Sequence, residues 1–120
     1  YKYIGEGLVK KEWTSLIIDY KEQYKKSEKN IKKHYDELET LNKIKNHIKL
    51  CNNFTELKNN PISIIYKYEA LKYELNGYHS FNLCKNGGTI RLIFSVNEEE
   101  NKVFLEYVST NHYSDFKDRL

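Results

Sequence analysis

The clearest strand pattern in the chain is the stretch TIRLIFSV, residues 89–96. Apolar side chains recur there at every second position, which in a strand places them on one face of the sheet. These side chains are Ile90, Leu92, Phe94 and Val96. Arg91, Ile93 and Ser95 then lie on the opposite face. We therefore expect a central strand whose first face packs against the rest of the domain.

Two further strands are predicted on either side of this stretch. Residues 78–83 precede it, and the Asn-Gly-Gly sequence at 86–88 between them is a strong turn signal. Residues 103–109 follow it, after a second turn that contains the acidic run 98–100. Short connections of this kind indicate an antiparallel meander. Residues 1–4 are expected to add an edge strand.

The first half of the chain has a helical pattern. From Leu8 to about Lys26, large apolar residues recur at spacings of three and four, which aligns them on one helical face. A second helix with the same spacing is predicted from Ile31 to about Asn52. The first face comprises Trp13, Leu16, Ile17, Tyr20 and Tyr24, and the second Ile31, Tyr35, Leu38, Leu41, Ile44 and Ile48. A helical hairpin over about residues 8–52 follows from this pattern.

The two halves meet at Pro61, the only proline, which follows Asn59 and Asn60. Such a cluster interrupts helices, and we interpret it as a junction within one domain. The sheet and the candidate site are expected over about residues 61–113, with a short helix over 113–120. The sequence thus predicts a single α+β domain, residues 1–120, in which an N-terminal helical hairpin packs on one face of a small antiparallel sheet. The opposite face is expected to be left for the site.

Composition excludes several classes of protein. Of the 120 residues 39% are hydrophobic and 14% aromatic, which argues against a disordered chain. No stretch approaches the roughly 20 apolar residues that span a bilayer. The two cysteines suit a reducing compartment, so we expect a cytoplasmic protein. Because the chain begins with Tyr1 and not Met, we expect it to have been processed or cut from a longer protein, and any leader is out of view.

The net charge of +3 is too small to indicate nucleic-acid binding by itself. Its distribution is uneven, since residues 1–60 hold thirteen lysines against nine acidic residues. Residues 61–120 hold seven basic and eight acidic residues. The excess of lysine on the helices is consistent either with phosphate contacts or with ordinary solvated faces.

No metal site or cofactor is predicted. Zinc sites need cysteine and histidine ligands at short recurrent spacings. The four histidines, His34, His47, His79 and His112, show no such spacing. Cys51 and Cys84 have no neighbouring base in the sequence, so we interpret both as packing residues.

Arg91 is the most informative charged residue, because a cation in the middle of a small sheet needs an anionic partner or access to solvent. One possibility is a structural ion pair with Glu69 or Glu106, and the other is a contact with phosphate. His112 and Tyr113 follow the last predicted strand. There they could exchange protons with a ligand in a cleft, or simply be solvated.

Residues 61–113 as an ordered set resemble the RelE/ParE superfamily of bacterial toxins, and most closely its YoeB-like mRNA interferases. The segments that carry the resemblance are YEALK (68–72), LNGYHS (75–80), IRLIFSV (90–96) and His112-Tyr113. The resemblance implies a RelE-like fold and an mRNA-cleaving site made of Glu69, Arg91, His112 and Tyr113. Lys85, in the hairpin beside this site, is a candidate second phosphate contact. His79 departs from the family pattern by standing where the family has Trp, and we assign it to substrate binding as well. For Lys85 the alternative is an ordinary solvated turn lysine.

These residue types suit RNA cleavage without a metal. The reaction needs a base for the 2′-OH proton, a cation for the charge on phosphorus, and an acid for the 5′-oxygen. Glu69 or His112 can be the base, Arg91 supplies the charge, and His112 or Tyr113 can be the acid. The resemblance therefore implies an endoribonuclease toxin of a type II toxin–antitoxin system that cuts mRNA on the ribosome and is held by a protein antitoxin.

Two alternatives remain at the level of sequence. The first is a ParE-like binding module that inhibits a topoisomerase without catalysis, although such proteins lack the four-residue set. The second is the toxic C-terminal domain of a larger secreted protein, which a chain that does not begin with Met permits.

Overall fold

The computed structural model describes residues 15–84 and 87–118. Within these ranges one sheet contains β1 (Ile17–Tyr20), β2 (Glu69–Ala70), β3 (Tyr78–Asn82), β4 (Arg91–Asn97) and β5 (Lys102–Ser109). The order across the sheet is β1-β5-β4-β3-β2. β1 runs parallel to β5, and the other neighbouring pairs are antiparallel. The predicted meander is therefore confirmed as β3, β4 and β5.

The helices of the described ranges lie mainly in the first half of the chain. They are α1 (Glu22–Glu28), α2 (Tyr35–Leu50), α3 (Phe54–Asn59), α4 (Pro61–Ile65) and α5 (Ser114–Lys117), with 3₁₀ turns at Lys29–Ile31 and Tyr73–Leu75. The α+β fold class is confirmed, and the short terminal helix is present as α5. None of the helices in these ranges is both long enough and apolar enough to cross a membrane.

The main core lies between the helical hairpin of α1 and α2 and the face of β4 that the alternation predicted. Leu92 and Phe94 are fully buried in one cluster with the apolar stripe of α2. The α2 side chains in this cluster are Leu41, Ile44 and Ile48. Tyr35, which was expected on the same stripe, is 80% exposed because α2 begins at that residue.

A buried serine joins α1 to the sheet. The Ser27 hydroxyl accepts a hydrogen bond from the Val108 backbone N–H at 2.8 Å and donates to the Tyr24 carbonyl at 3.0 Å. Both partners are buried, so water cannot replace these bonds. The bond to Val108 fixes the position of the short helix α1 on β5.

The first arm of the hairpin is shorter than the sequence pattern predicted. Residues 17–20, assigned above to a helix, form β1 instead, and the arm begins at Glu22. β1 covers the edge of β5: the Ile17 N–H donates to the Asn101 carbonyl at 3.0 Å, and the Lys21 N–H to the Leu105 carbonyl at 3.1 Å. Without β1, the edge of β5 would have unpaired backbone groups. The β-branched residues Ile17 and Ile18 also favour a strand at this position. Trp13 and the expected edge strand at residues 1–4 lie outside the described residues.

The junction before the sheet contains two short helices that the sequence analysis did not identify. Asn53 caps α3 by accepting from the Glu56 N–H at 2.8 Å. Asn60 caps α4 by accepting from the Ile62 N–H at 3.1 Å, with Pro61 at the first helical position. Asparagine before a helix and proline at its first position are both start signals. The two helices lead directly into β2, which carries Glu69.

The face of the sheet opposite the hairpin is only partly open. A second apolar cluster covers its centre, where Ile93 and Tyr107 pack with Phe116 of α5. Leu71 and Leu75 complete this cluster. The expectation that the whole face would be left for a site is therefore corrected, because α5 folds back over it. The open part lies beside this cluster, near Arg91 and the segment after β5.

Candidate active site

A hydrogen bond between Tyr113 and Glu69 lies at the centre of the candidate site. The Tyr113 Oη donates to Glu69 Oε1 at 2.8 Å, and the Ser80 hydroxyl lies 3.1 Å from the same Oη. Since the phenol gives its only proton to Glu69, the serine donates to the phenol oxygen. Glu69 and Ser80 are paired across β2 and β3, which puts both side chains on one face.

The environment of Tyr113 keeps its phenol protonated. Burial is the largest effect and raises the pKa of Tyr113, and the bond to Glu69 and its charge act in the same direction. The bond from Ser80 and the positive charge of Arg91 lower the pKa and only partly offset the rise. A phenol titrates near 10 when unperturbed, so Tyr113 carries its proton at neutral pH.

Arg91 is held by neutral oxygen atoms. Its Nη1 donates to the Gly88 carbonyl at 2.7 Å, to Asn82 Oδ1 at 3.1 Å and to the Ile90 carbonyl at 3.3 Å. Asn82 Oδ1 also accepts from the Cys84 N–H at 2.8 Å, which fixes the amide. These bonds orient the guanidinium from one nitrogen. Within the part of the chain that the structure describes, Nε and Nη2 have no hydrogen-bond acceptor.

The two carboxylates expected as ion-pair partners of Arg91 are engaged elsewhere. Glu69 accepts from Tyr113, and Glu106 accepts from the Ser95 hydroxyl at 2.6 Å. Among the described residues Arg91 forms no ion pair. A half-buried guanidinium with a free edge is suited to bidentate contact with phosphate oxygens.

His112 is placed beside Tyr113 by an unusual backbone conformation. Its φ is 61°, in the left-handed region, and its N–H donates to the Thr89 carbonyl at 2.8 Å. Histidine is one of the few residue types enriched in this region. Its ring is exposed, and its centroid lies 6.1 Å from the centroid of the Tyr113 ring. This hydrogen bond ties the backbone of His112, after β5, to the segment that leads into β4.

A cleft of about 410 Å³ opens at this point. His112 and Tyr113 line it together with the 3₁₀ turn after β2 and the start of α5. The other lining residues are Lys72, Tyr73, Glu74, Leu75, Ser114 and Lys117. The cleft gives a ligand access to the proton-transfer groups from solvent.

The structure thus places Glu69, Arg91, His112 and Tyr113 in one region. Glu69 and Tyr113 are in contact, and His112 is adjacent to Tyr113. Arg91 acts on Tyr113 through its charge. A base, a neutral acid and an unpaired cation are therefore available at one face of the sheet.

His79 is not brought to this region. It alternates with Ser80 on β3 and points to the opposite face, where its Nδ1 lies 2.7 Å from Tyr68 Oη. Its ring centroid is 4.9 Å from that of Phe54 and 5.3 Å from that of Phe94. The expected substrate contact from His79 at this site is therefore not supported by the geometry. Lys85 lies outside the described residues.

Sequence reasoning missed Asn82 and Ser80 as parts of the site. The signal was present in the strand period, because residues 78, 80 and 82 lie on one face of β3. Asn82 pairs with Arg91 across β3 and β4, and Ser80 pairs with Ile93. The sequence alone does not give the register of β3 against β4, which places the Asn82 amide opposite the Arg91 guanidinium. Among the described residues no group of three or more His, Cys, Asp or Glu side chains is arranged to hold a metal ion.

Comparison with known proteins gives structural matches only. No protein-family model matches the chain, and no curated protein matches its sequence. The YoeB dimer from Staphylococcus aureus matches with a TM-score of 0.56 at 20% identity, over 82% of this chain and 100% of that one. YafQ in the E. coli DinJ-YafQ toxin-antitoxin complex matches with a TM-score of 0.58 at 18% identity, over 84% and 96%.

A third match is a metal-bound toxin from Helicobacter pylori, with a TM-score of 0.58 at 23% identity, over 79% of this chain and 93% of that one. At these identities the likeness concerns the backbone. It covers about four-fifths of the chain in each case and nearly the whole of each toxin. The chain therefore has the RelE-like fold of the YoeB and YafQ toxins.

Proposed function

We propose that the chain is an endoribonuclease toxin of a type II toxin–antitoxin system that cleaves mRNA by attack of a 2′-OH on the adjacent phosphate. The observation that carries this proposal is the contact of Tyr113 with Glu69 near Arg91, which forms no ion pair within residues 15–84 and 87–118. A carboxylate and a protonated phenol near an unpaired cation are the groups that metal-free RNA cleavage requires.

The chemical step moves one proton on each side of phosphorus. A base takes the 2′-OH proton, the 2′-oxygen forms a bond to phosphorus, and the bond to the 5′-oxygen breaks. An acid then protonates the 5′-oxygen, which leaves a 2′,3′-cyclic phosphate and a free 5′-OH. Arg91 faces the phosphate with Nε and Nη2 and stabilises the charge that develops on its oxygens.

Two assignments of base and acid fit the side chains. In one, Glu69 accepts the 2′-OH proton on Oε2, since Oε1 is bonded to Tyr113, and His112 or Tyr113 donates to the leaving oxygen. In the other, His112 is the base and Tyr113 the acid. The raised pKa of Tyr113 keeps the proton on the phenol for donation in either case.

The proposal includes a protein antitoxin and the ribosome as partners, in the cytoplasm. Support for the antitoxin is the fold shared with YafQ of the DinJ-YafQ toxin-antitoxin complex. Support for a ribosomal RNA surface is the excess of lysine on the hairpin. Lys25, Lys29 and Lys32 line a second cleft there, of about 370 Å³. Lysines grouped in this way can bind phosphates by releasing counterions.

Expression in a bacterial host tests the proposal. Wild type, Arg91→Ala and Arg91→Lys are induced, and cellular mRNA is mapped by primer extension. We expect growth arrest with cuts at discrete positions for wild type, and neither for Arg91→Ala. Arg91→Lys keeps the charge but loses the planar fork, so partial activity is expected. His112→Ala should likewise cause neither arrest nor cuts. His34→Ala, which removes an exposed histidine on the hairpin, is its control.

Two outcomes would contradict the ribonuclease assignment. Growth arrest without mRNA cuts would favour the binding module that inhibits a topoisomerase. Equal arrest by wild type and Arg91→Ala would show that Arg91 is structural. A small gene beside this one that encodes a DNA-binding antitoxin would support the toxin–antitoxin pair, whereas a long delivery protein would support the secreted alternative.

A further inference from the structure

Tyr73 is a large aromatic side chain with no partner in the described structure. It exposes 89% of its surface, and within residues 15–84 and 87–118 its ring and hydroxyl make no ring contact or hydrogen bond. An exposed aromatic ring is common by itself and carries no conclusion. Its position and backbone distinguish it from the other exposed side chains.

The backbone holds Tyr73 in a conformation that is costly for an aromatic residue. Its φ is 57°, in the left-handed region. The 3₁₀ turn around it is closed by the Leu75 N–H, which donates to the Lys72 carbonyl at 3.1 Å. Leu71 and Leu75 on either side are buried in the cluster beneath α5. These anchors fix the turn and hold the Tyr73 ring outside it.

The Tyr73 ring lines the same cleft as His112 and Tyr113. Tyr73, His112 and Tyr113 all contribute to the cleft of about 410 Å³, which is within the usual size of small-ligand sites. Lys72 lines it too and has no ion pair among the described residues, while Lys117 is paired with Glu74 at 2.7 Å. The cleft thus combines an aromatic surface, one available cation, and two of the four proposed site residues, His112 and Tyr113. Glu69 contacts Tyr113 but does not line the cleft itself.

We infer that Tyr73 is a stacking platform for a nucleobase of single-stranded RNA next to the cleaved phosphate. This inference rests on the proposed function and assigns a substrate subsite that the four-residue set does not contain. Single-stranded RNA exposes its bases, and proteins bind them by stacking on aromatic rings beside cations that contact the backbone. Because the backbone of the turn is already fixed, only the side-chain torsions of Tyr73 have to be ordered when a base stacks on its ring.

The test is direct binding of a fluorescently labelled 2′-O-methyl RNA oligonucleotide, which lacks the nucleophilic hydroxyl and stays intact. Fluorescence anisotropy at one fixed salt concentration compares wild type, Tyr73→Ala and Tyr73→Trp. Loss of one stacked base is expected to weaken binding of Tyr73→Ala by roughly 5- to 150-fold. Tyr73→Trp should retain wild-type affinity. Tyr35→Ala removes a tyrosine that is 80% exposed on the hairpin and should change nothing.

A second measurement identifies the stacked base. A set of oligonucleotides with one abasic position each is bound to wild type and to Tyr73→Ala. At one position the missing base should weaken binding to wild type and leave binding to Tyr73→Ala unchanged, because the stacking partner is already gone. Additive losses at every position would overturn the inference.

The outcomes separate this inference from the proposed function. Equal affinity of wild type and Tyr73→Ala overturns the platform and leaves the cleavage assignment standing. A wild type that binds the oligonucleotide but cleaves no RNA, with or without ribosomes, overturns the proposed function, and the platform is then judged on binding alone. A wild type that does not bind the oligonucleotide, free or on ribosomes, overturns the platform.

Discussion

The phenol of Tyr113 and the carboxylate of Glu69 share a hydrogen bond of 2.8 Å, although 44 residues separate them in the chain. The bond connects the segment after β5 to β2, at one edge of the sheet, and Ser80 of β3 lies against the same phenol oxygen. Three separate parts of the chain therefore meet at the hydroxyl group of Tyr113. Because both neighbours bond to the hydroxyl group of Tyr113, a test of the site should begin by removing that group.

Tyr113→Phe removes that hydroxyl and keeps the ring. We expect RNA cleavage to fall by about 10²- to 10⁴-fold, the usual contribution of a positioned acid or base. Stability should fall by about 1–3 kcal/mol, because the buried Ser80 hydroxyl loses its acceptor. Single-turnover cleavage and urea unfolding measure the two effects. Tyr35→Phe is the control, and full activity of Tyr113→Phe would limit Tyr113 to a structural role.

Asn82→Asp keeps the shape of the side chain and both of its accepted hydrogen bonds. It places a carboxylate where Oδ1 now lies 3.1 Å from Arg91 Nη1, and so creates an ion pair in place of the neutral contact. We expect a folded protein whose cleavage rate falls by about tenfold or more, because a neutralised guanidinium stabilises phosphate charge less well. A Michaelis–Menten analysis should show the loss mainly in kcat. Unchanged activity would mean that the free charge of Arg91 is not needed.

We expect the stability of the folded protein to change with pH because of His79. Its pKa is lowered, first by burial and then by the charge of Lys58, against a smaller opposite effect of Glu98. The folded protein therefore binds this proton less readily than the unfolded chain. The neutral form of His79 therefore contributes fully to the stability of the fold when the pH is above 6.5, the ordinary pKa of histidine. This contribution is lost as the pH falls below that value.

Urea unfolding from about pH 7.5 to about pH 5 tests this dependence. His79→Phe should have a smaller loss of stability across that interval than wild type. His34→Phe replaces an exposed histidine and should keep the wild-type slope. An unchanged slope in His79→Phe would show that other groups control stability in this range.

Ser27→Ala removes the hydroxyl that joins α1 to β5. The Val108 N–H then has no acceptor in a buried position, which costs about 1–3 kcal/mol. We expect a lower urea midpoint with an unchanged m-value, and normal cleavage by the protein that remains folded. Thr55→Ala, on the exposed side of α3, is the matched control. Equal stability of Ser27→Ala and wild type would contradict this account.

The sequence predicted those parts of the fold that depend on local periodicity. Alternation in residues 89–96 correctly separated the face that the hairpin covers from the face of Arg91. The strand Ile17–Tyr20 was missed because Leu16, Ile17 and Tyr20 also fit a helical spacing. What makes it a strand is the edge of β5, which starts at residue 102 and is invisible to any local pattern.

The candidate site, too, could be predicted from the sequence only in part. The resemblance brought Glu69, Arg91, His112 and Tyr113 together, and the structure places them in one region. The acceptors of Arg91 were not predicted, because they depend on the register that sets Asn82 opposite it and on the carbonyl of Gly88 in the turn. The subsite at Tyr73 depends on a left-handed φ, which the residue type does not suggest.

The position of β5 within the sheet has a consequence for synthesis of the protein. β5 is the last strand of the described chain to be made, yet it lies between β1 and β4, and its pairing with β1 joins residues 17 and 102. Pairings between distant segments form slowly and only after both segments are available. Much of the sheet can therefore assemble only after residue 109 has left the ribosome, and His112 and Tyr113 emerge later still. A nascent chain on its own ribosome would therefore lack the complete candidate site until residue 113 has emerged.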